Sequence, residues 1–238
     1  MKTESTLKLL FVICLLAIIS ISSNAQTYSG GSGTESDPYL ISSNPDLELL
    51  SSAISRNGSY STGKFFLLTQ DITTPVTGII GINVDYPFRG TFNGGGYTIN
   101  ANINVTDTYA GIFGYTVGAL IKNLGVTGSI ITISGGDAYV GGICGYGSST
   151  TIINCYNTAS ISSNSSSSST SSSSNSGGIC GYTNNTAIRN CYNTNSVSSN
   201  SYYYSYSGGI SGYNTANTTI TNCYNTGSIS SYSSHTSS

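Results

Sequence analysis

From Ala110 to the end of the chain, apolar and polar residues alternate in short runs, each broken by Gly, Asn or Thr. Alternation with a period of two over such stretches predicts strands. The Ile, Thr, Tyr and Val content of segments such as Thr151–Asn157 and Ser228–Ser230 suits a pleated surface. No repeat carries an apolar stripe at helical spacing over three turns, which excludes a helical solenoid. Four segments of this part of the chain align with one another. They are AGIFGYTVGALIKNLGVTGSI from Ala110, GGICGYGSSTTIINCYNTASI from Gly141, GGICGYTNNTAIRNCYNTNSV from Gly177 and GGISGYNTANTTITNCYNTGSI from Gly208. Their second residues, Gly111, Gly142, Gly178 and Gly209, are 31, 36 and 31 residues apart. The long interval contains Ser162–Ser176, nearly pure Ser and Asn, which reads as a disordered loop inserted between turns.

A repeat of this length cannot bury a face alone, so the copies must stack. The expected product is a β-coil with three short strands per turn, in which equivalent residues form columns. Ile121, Ile152, Ile188 and Ile220 make one interior column, and Ile130, Ile161, Val197 and Ile229 a second. Ile112, Ile143, Ile179 and Ile210 make a third, and Leu124, Cys155, Cys191 and Cys223 a fourth. Asn123, Asn154, Asn190 and Asn222 precede that last column and are expected to bond the backbone of adjacent turns at a corner. The recurring glycines are expected to supply bends.

The tetrapeptide Cys-Tyr-Asn-Thr occurs three times, from Cys155, Cys191 and Cys223. Leu124 holds the cysteine position in the first copy, while Phe113, Cys144, Cys180 and Ser211 share a second position. Sites that accept Leu, Phe, Ser or Cys behave as packing sites, so buried thiols are expected, with disulfide bonding the runner-up. Metal ligation is not expected: there is no CxxC, and the single histidine, His235, lies in the terminal tail.

Ahead of the repeats, Asn44-Pro45-Asp46 followed by Leu47, Leu50 and Ile54 predicts a short capped amphipathic helix that covers the open end of the first coil. Lys64–Ile72 and Thr77–Ile82 are predicted as the first strands. The start of the chain differs from the rest. Lys2 and Lys8, the apolar run Leu9–Ile19 and the small residues Ser23-Asn24-Ala25 predict a secretory leader cleaved before Gln26. The run is too short to favour a membrane span, and no later stretch is long enough either. The organisation expected is therefore a leader at 1–25, an N-terminal segment with the capping helix at 26–62, a β-helix at 63–231 and a tail or truncated coil at 232–238. An uncovered coil end would favour end-to-end self-association.

Charge then narrows the function. Without the leader, five basic residues face eight acidic ones, a net of −3 that argues against nucleic-acid binding. After Asp137 the only formally charged side chain is Arg189. No cofactor or catalytic set is expected. The nearest approach to one is Asp107 with Asp137, about one repeat apart, which a polysaccharide lyase or hydrolase would need close together; turn-forming aspartates account for both. Aromatic residues are the better candidates. Tyr146, Tyr182 and Tyr213, with Tyr115, should form one column, and Tyr156, Tyr192 and Tyr224 a second, pointing outward beside inward cysteines. Such rows offer ring faces and hydroxyls to sugars or to protein partners. Five N-x-Ser/Thr sequons, at Asn57, Asn104, Asn164, Asn184 and Asn217, matter only in a producer that glycosylates them.

The pieces GIFGY, GGICGY and NCYNTGSIS resemble the GLUG motif, a repeat of large secreted bacterial surface proteins that include IgA-specific metallopeptidases and Bacteroidetes envelope proteins. GSGTESDPYLISS, DLELLSSAI and PFRGTFNGGGYTIN resemble the segments that open such proteins, so the likeness spans about residues 30–231. It implies a right-handed parallel β-helix outside the cell or at its surface and no one activity, since such a scaffold serves differing functions. The residues themselves favour an adhesin-like module that binds glycan or protein without catalysis, with a passive stalk or a polysaccharide lyase or hydrolase as the alternatives. The His-Glu-x-x-His zinc motif of the peptidase members is absent here.

Overall fold

In the computed structural model, which describes residues 27–215 and 217–235, the chain winds into a parallel β-helix with one helix after its first strand. Paired strands run parallel throughout, in sheets of seven, four, four and nine strands. The expected leader lies outside the described residues.

Each coil has more faces than the three anticipated. The second repeat contributes Ala138–Gly141, Cys144–Ser148, Thr151–Ile153, Tyr156–Asn157 and Ser160–Ser165, five strands in four sheets. Residues in left-handed conformation break the chain between them: Ser149 has φ 50° and Asn154 φ 54°. The next break is an Asx turn, in which Ala159 N–H donates to Asn157 Oδ1 at 3.1 Å. Asparagine tolerates the left-handed region better than most residues. Asn123, Asn190 and Asn222 adopt it at the same corner as Asn154, with φ of 54°, 53° and 52°.

The interior columns form as anticipated. Ile121, Ile152, Ile188 and Ile220 are in register, as are Ile130, Ile161, Val197 and Ile229. All of these but Ile220 and Ile229 are fully buried, and full burial of such a side chain contributes roughly 2 kcal/mol. The first coils fill the same interior with larger groups. Phe66, Phe92 and Ile121 share one row, and the rings of Phe88 and Phe113 lie 4.8 Å apart.

Toward the other end the interior becomes hydroxylic. Ser163 and Ser165 belong to the strand Ser160–Ser165, and Ser174 and Ser176 to Ser173–Gly177, and all four are buried. The tract 162–176 is thus not one loop, since only its middle connects the strands. Ser163 Oγ lies 2.7 Å from Ser176 Oγ, and Ser199 Oγ lies 2.7 Å and 2.8 Å from those of Ser205 and Ser207. A serine-rich composition that looks disordered folds here because inward hydroxyls such as those of Ser163, Ser176, Ser199, Ser205 and Ser207 meet one another across the coil, while Ser165 Oγ donates to Gly136 O.

The sheet begins earlier than residue 63, since Tyr39–Ile41 pairs in register with the strand Phe65–Leu68. Thr77–Ile82 is not a strand. Ile72–Val76 takes that role, and Gly81, at φ 72°, leaves only an isolated bridge from Ile80 to Phe113 among the described residues there.

The helix α1 (Asn44–Arg56) caps the coil as anticipated. Leu47, Leu50 and Ile54 are buried in the common core, and Ser51 Oγ donates to Ile79 O at 2.6 Å. The capping residue is Ser43 rather than Asn44. The buried Asp46 carboxylate gathers the loose ends: it accepts from Ser42 N–H (2.9 Å), Ser43 Oγ (2.9 Å), Ser29 N–H (3.1 Å) and Ser29 Oγ (2.8 Å). Burial alone would raise this carboxyl, but the donors from Ser42, Ser29 and Ser43 outweigh it and hold it below its ordinary value. Asp46→Ala should therefore lower the unfolding free energy by about 2 kcal/mol at neutral pH. A depressed folded pKa contributes stability above the unfolded value of about 3.9 and loses it as pH falls through the folded value. Urea denaturation should show the deficit shrinking in acid; a deficit unchanged there would show that the charge is not its source.

Candidate functional site

The repeated Cys-Tyr-Asn-Thr lies where the chain passes from the seven-stranded into the nine-stranded sheet. Its cysteine points inward, its tyrosine outward and its asparagine inward again. Cys155 and Cys191 are buried and Cys223 half-buried, and all five described cysteines are free thiols. They act as packing groups with weak hydrogen bonds: Cys155 N–H and Cys191 N–H reach the Sγ of Cys191 and Cys223 at 3.4 Å each. Burial pushes the thiols of Cys155 and Cys180 up, whereas the hydrogen bond from Cys155 holds Cys191 down.

Asn157, Asn193 and Asn225 form a ladder that sequence reasoning missed. Asn157 Nδ2 donates to Asn193 Oδ1 at 2.7 Å, and Asn193 Nδ2 to Asn225 Oδ1 at 2.6 Å. Each Nδ2 also reaches a carbonyl two residues on, at Ala159, Asn195 or Gly227. These amides explain part of the glycine pattern. A Cβ at Gly142, Gly178 or Gly209 would lie 2.5, 2.6 or 2.4 Å from Asn157, Asn193 or Asn225. None of the three has a positive φ, so they provide room rather than bends. The signal was in the sequence, as each Gly-Gly pair recurs with an Asn downstream.

The corner column behaves differently from its expectation as well. Asn154 Nδ2 donates to Asn123 Oδ1 at 3.2 Å, Asn190 to Asn154 at 3.1 Å and Asn222 to Asn190 at 3.3 Å. These asparagines thus pair amide to amide instead of bonding adjacent backbone. Left-handed backbone aims successive side chains along the stacking axis.

Both tyrosine columns form. Tyr156, Tyr192 and Tyr224 stack at 5.1 Å per step with interplanar angles of 4° and 8°. Tyr115, Tyr146, Tyr182 and Tyr213 stack at 4.6, 4.7 and 5.4 Å. Because each ring covers its neighbour's face, a column presents ring edges and hydroxyls rather than open faces. Burial and adjacent phenols push Tyr115 up to about 12, and burial followed by Tyr156 and Tyr224 raises Tyr192. Tyr115 and Tyr192 are therefore neutral hydrogen-bonding groups at physiological pH.

A third aromatic row, on the adjoining four-stranded sheet, was not anticipated. Tyr109 and Tyr139 stack at 5.5 Å, and each packs edge-on against the column of Tyr115, Tyr146 and Tyr182. The register continues Tyr139–Asn175–Tyr206, so one ring position holds an amide. A cleft of about 200 Å³ opens there, lined by Ser173, Asn175, Tyr182, Tyr204, Tyr206 and Tyr213. Tyr206 resumes the pattern, edge-on to Tyr213 at 5.2 Å.

Asp137 is tied to this surface. Its carboxylate accepts from Tyr139 Oη at 2.9 Å and Ser173 N–H at 2.8 Å, joining successive coils. Asp107 contributes its backbone carbonyl to Thr132 Oγ1 at 2.5 Å. Both act as turn and bridging residues.

Residues 203–230 match the profile of the GLUG motif, so the chain carries that motif. A Bacteroides ovatus protein whose crystal structure is named for an immunoglobulin A1 protease superposes with a TM-score of 0.55 at 21% identity, over 85% of this chain and 70% of that one. That likeness establishes the parallel β-helix fold. A protein of Evansella cellulosilytica named as a Gly-rich membrane protein is 33% identical over 151 residues, 56% of this chain and 17% of the relative. The chain thus spans under a fifth of that relative's length.

Packed, free thiols predict a chemical result. In the native protein, Cys144, Cys155, Cys180 and Cys191 should alkylate at least about a hundredfold more slowly than in denaturant, with half-buried Cys223 labelled first. A pair that stays unlabelled in denaturant until reduced would instead show a disulfide.

Proposed function

We propose that the chain is a secreted or surface-displayed, adhesin-like β-helix module that binds glycan or protein ligands without catalysis. The observation that carries this reading is the pair of tyrosine columns, which hold phenols at steps of about 5 Å on the outer surface. Tyrosine supplies amphipathic contact area at low entropic cost, and stacking here lowers that cost further. The surroundings favour hydrogen bonding over charge, since Arg189 is the only formally charged side chain after Asp137.

The expected leader supports export. No helix among the described residues is long and apolar enough to cross a membrane, which leaves open a β-barrel elsewhere in a longer protein. The name of the Evansella cellulosilytica relative, a Gly-rich membrane protein, agrees with life at the cell boundary.

Arrays of glycans and extracellular-matrix proteins should reveal saturable binding to one class. Replacing Tyr156, Tyr192 and Tyr224 together by Ser should weaken it about tenfold while the thermal transition stays cooperative. Unchanged binding by the triple variant would remove this column from the site. Absence of binding by the folded parent to every class would leave a passive stalk as the better account.

A further inference from the structure

Among the described residues, one aromatic row is interrupted by a buried polar group beside a cleft. Asn175 occupies the third-row position that Tyr139 and Tyr206 hold on the coils either side. Those two tyrosines are therefore two strand spacings apart, about 9–10 Å. One ring midway between them would repeat the 4.6–5.5 Å steps of the adjacent stacks. The edge-on pattern points to the same place. Tyr109 packs against Tyr115 and Tyr146, and Tyr139 against Tyr146 and Tyr182. Asn175 is too short to repeat this against Tyr182 and Tyr213, and the cleft of about 200 Å³ is the space left over.

The floor of the cleft is polar. Asn175 is 1% exposed; its Nδ2 donates to Ser173 Oγ at 3.0 Å, while its Oδ1 is buried with no hydrogen-bond partner. A buried acceptor left unpaired costs about 1–3 kcal/mol, which a donor entering the cleft would recover. Ser173 and the phenols of Tyr182, Tyr204, Tyr206 and Tyr213 surround it, and none of the lining side chains carries a formal charge.

We propose that this cleft is a subsite for a single hexopyranose ring of a neutral glycan. The ring would lie in the cleft against Tyr206, with Tyr182 and Tyr213 beside it, and one hydroxyl would donate to Asn175 Oδ1. A sugar fits better than an aromatic side chain, because polar groups surround the slot and a phenol brings only one hydroxyl to meet them. The proposal rests on the binding reading above but places a ligand at Asn175 instead of along the Tyr156 column.

The test uses the folded chain with methyl α- and β-glycosides of glucose, galactose and mannose, and with N-acetyltyrosinamide as the aromatic rival, read by saturation-transfer NMR and titration. At least one glycoside should bind. Asn175→Tyr, which installs the residue of the coils above and below, should fill the slot and weaken that glycoside at least about tenfold with an unchanged or raised Tm. Tyr206→Ser should weaken it too, without filling the slot, so a folding defect in one variant is exposed by the other. Replacing Tyr156, Tyr192 and Tyr224 should leave the glycoside's affinity alone. Binding of no glycoside, binding of N-acetyltyrosinamide alone, or full binding by Asn175→Tyr would each overturn the subsite. In the last case array binding that is lost in the triple tyrosine variant would still stand, which separates failure here from failure of the broader function.

Discussion

Everything in this molecule depends on each coil lying in register on an almost identical coil. Parallel pairing sets Ile over Ile, Asn over Asn and Tyr over Tyr. The buried asparagines make that register specific. The amide of Asn193 is satisfied only when Asn157 lies on one side of it and Asn225 on the other, and a slip of one residue would bury unpaired amides and turn inward side chains outward. The glycines at 142, 178 and 209 belong to the same constraint, because their missing Cβ atoms leave the room in which the amides lie. A coil cannot satisfy its own ladder, so stability is shared between neighbours in the manner of repeat proteins.

The interior changes character along this frame. Phenylalanines fill the first coils, isoleucines and thiols the middle, and serine hydroxyls much of the last two. One position shows the trend in four steps, Phe113, Cys144, Cys180 and Ser211, all in register. Outside, charge thins in the same direction while tyrosines accumulate, so the part of the molecule with the most polar interior also carries the most aromatic surface. Stacking turns those tyrosines into rigid rows of edges and hydroxyls, and the row through Tyr139 and Tyr206 is interrupted at Asn175, where the cleft opens.

Much of this was legible in the sequence because repeat stacking converts alignment directly into contact. The isoleucine, cysteine and tyrosine columns follow from superposing the four copies. The features that were missed depend on geometry within a coil. Whether Asn157 turns in or out depends on its parity relative to Cys155, which alignment alone does not reveal as a hydrogen-bonded ladder. The serine tract looked like a loop because composition does not show that Ser163 and Ser176 face each other across the interior. The gap at Asn175 was invisible for a related reason: Tyr109, Tyr139 and Tyr206 lie before the aligned Gly-Gly core, in the stretch where repeat length varies.

The register itself can be measured by cross-linking. Tyr156 and Tyr192 are direct partners on the outer face, and parallel neighbours lie about 4.8 Å apart, within the Cα separation a disulfide spans. The double variant Tyr156→Cys/Tyr192→Cys should oxidise nearly completely under mild conditions, whereas Tyr156→Cys/Thr194→Cys, two residues out of step, should stay largely reduced. Equal oxidation of the two pairs, or preference for the second, would contradict the register on which the ladders, the columns and the cleft all rest.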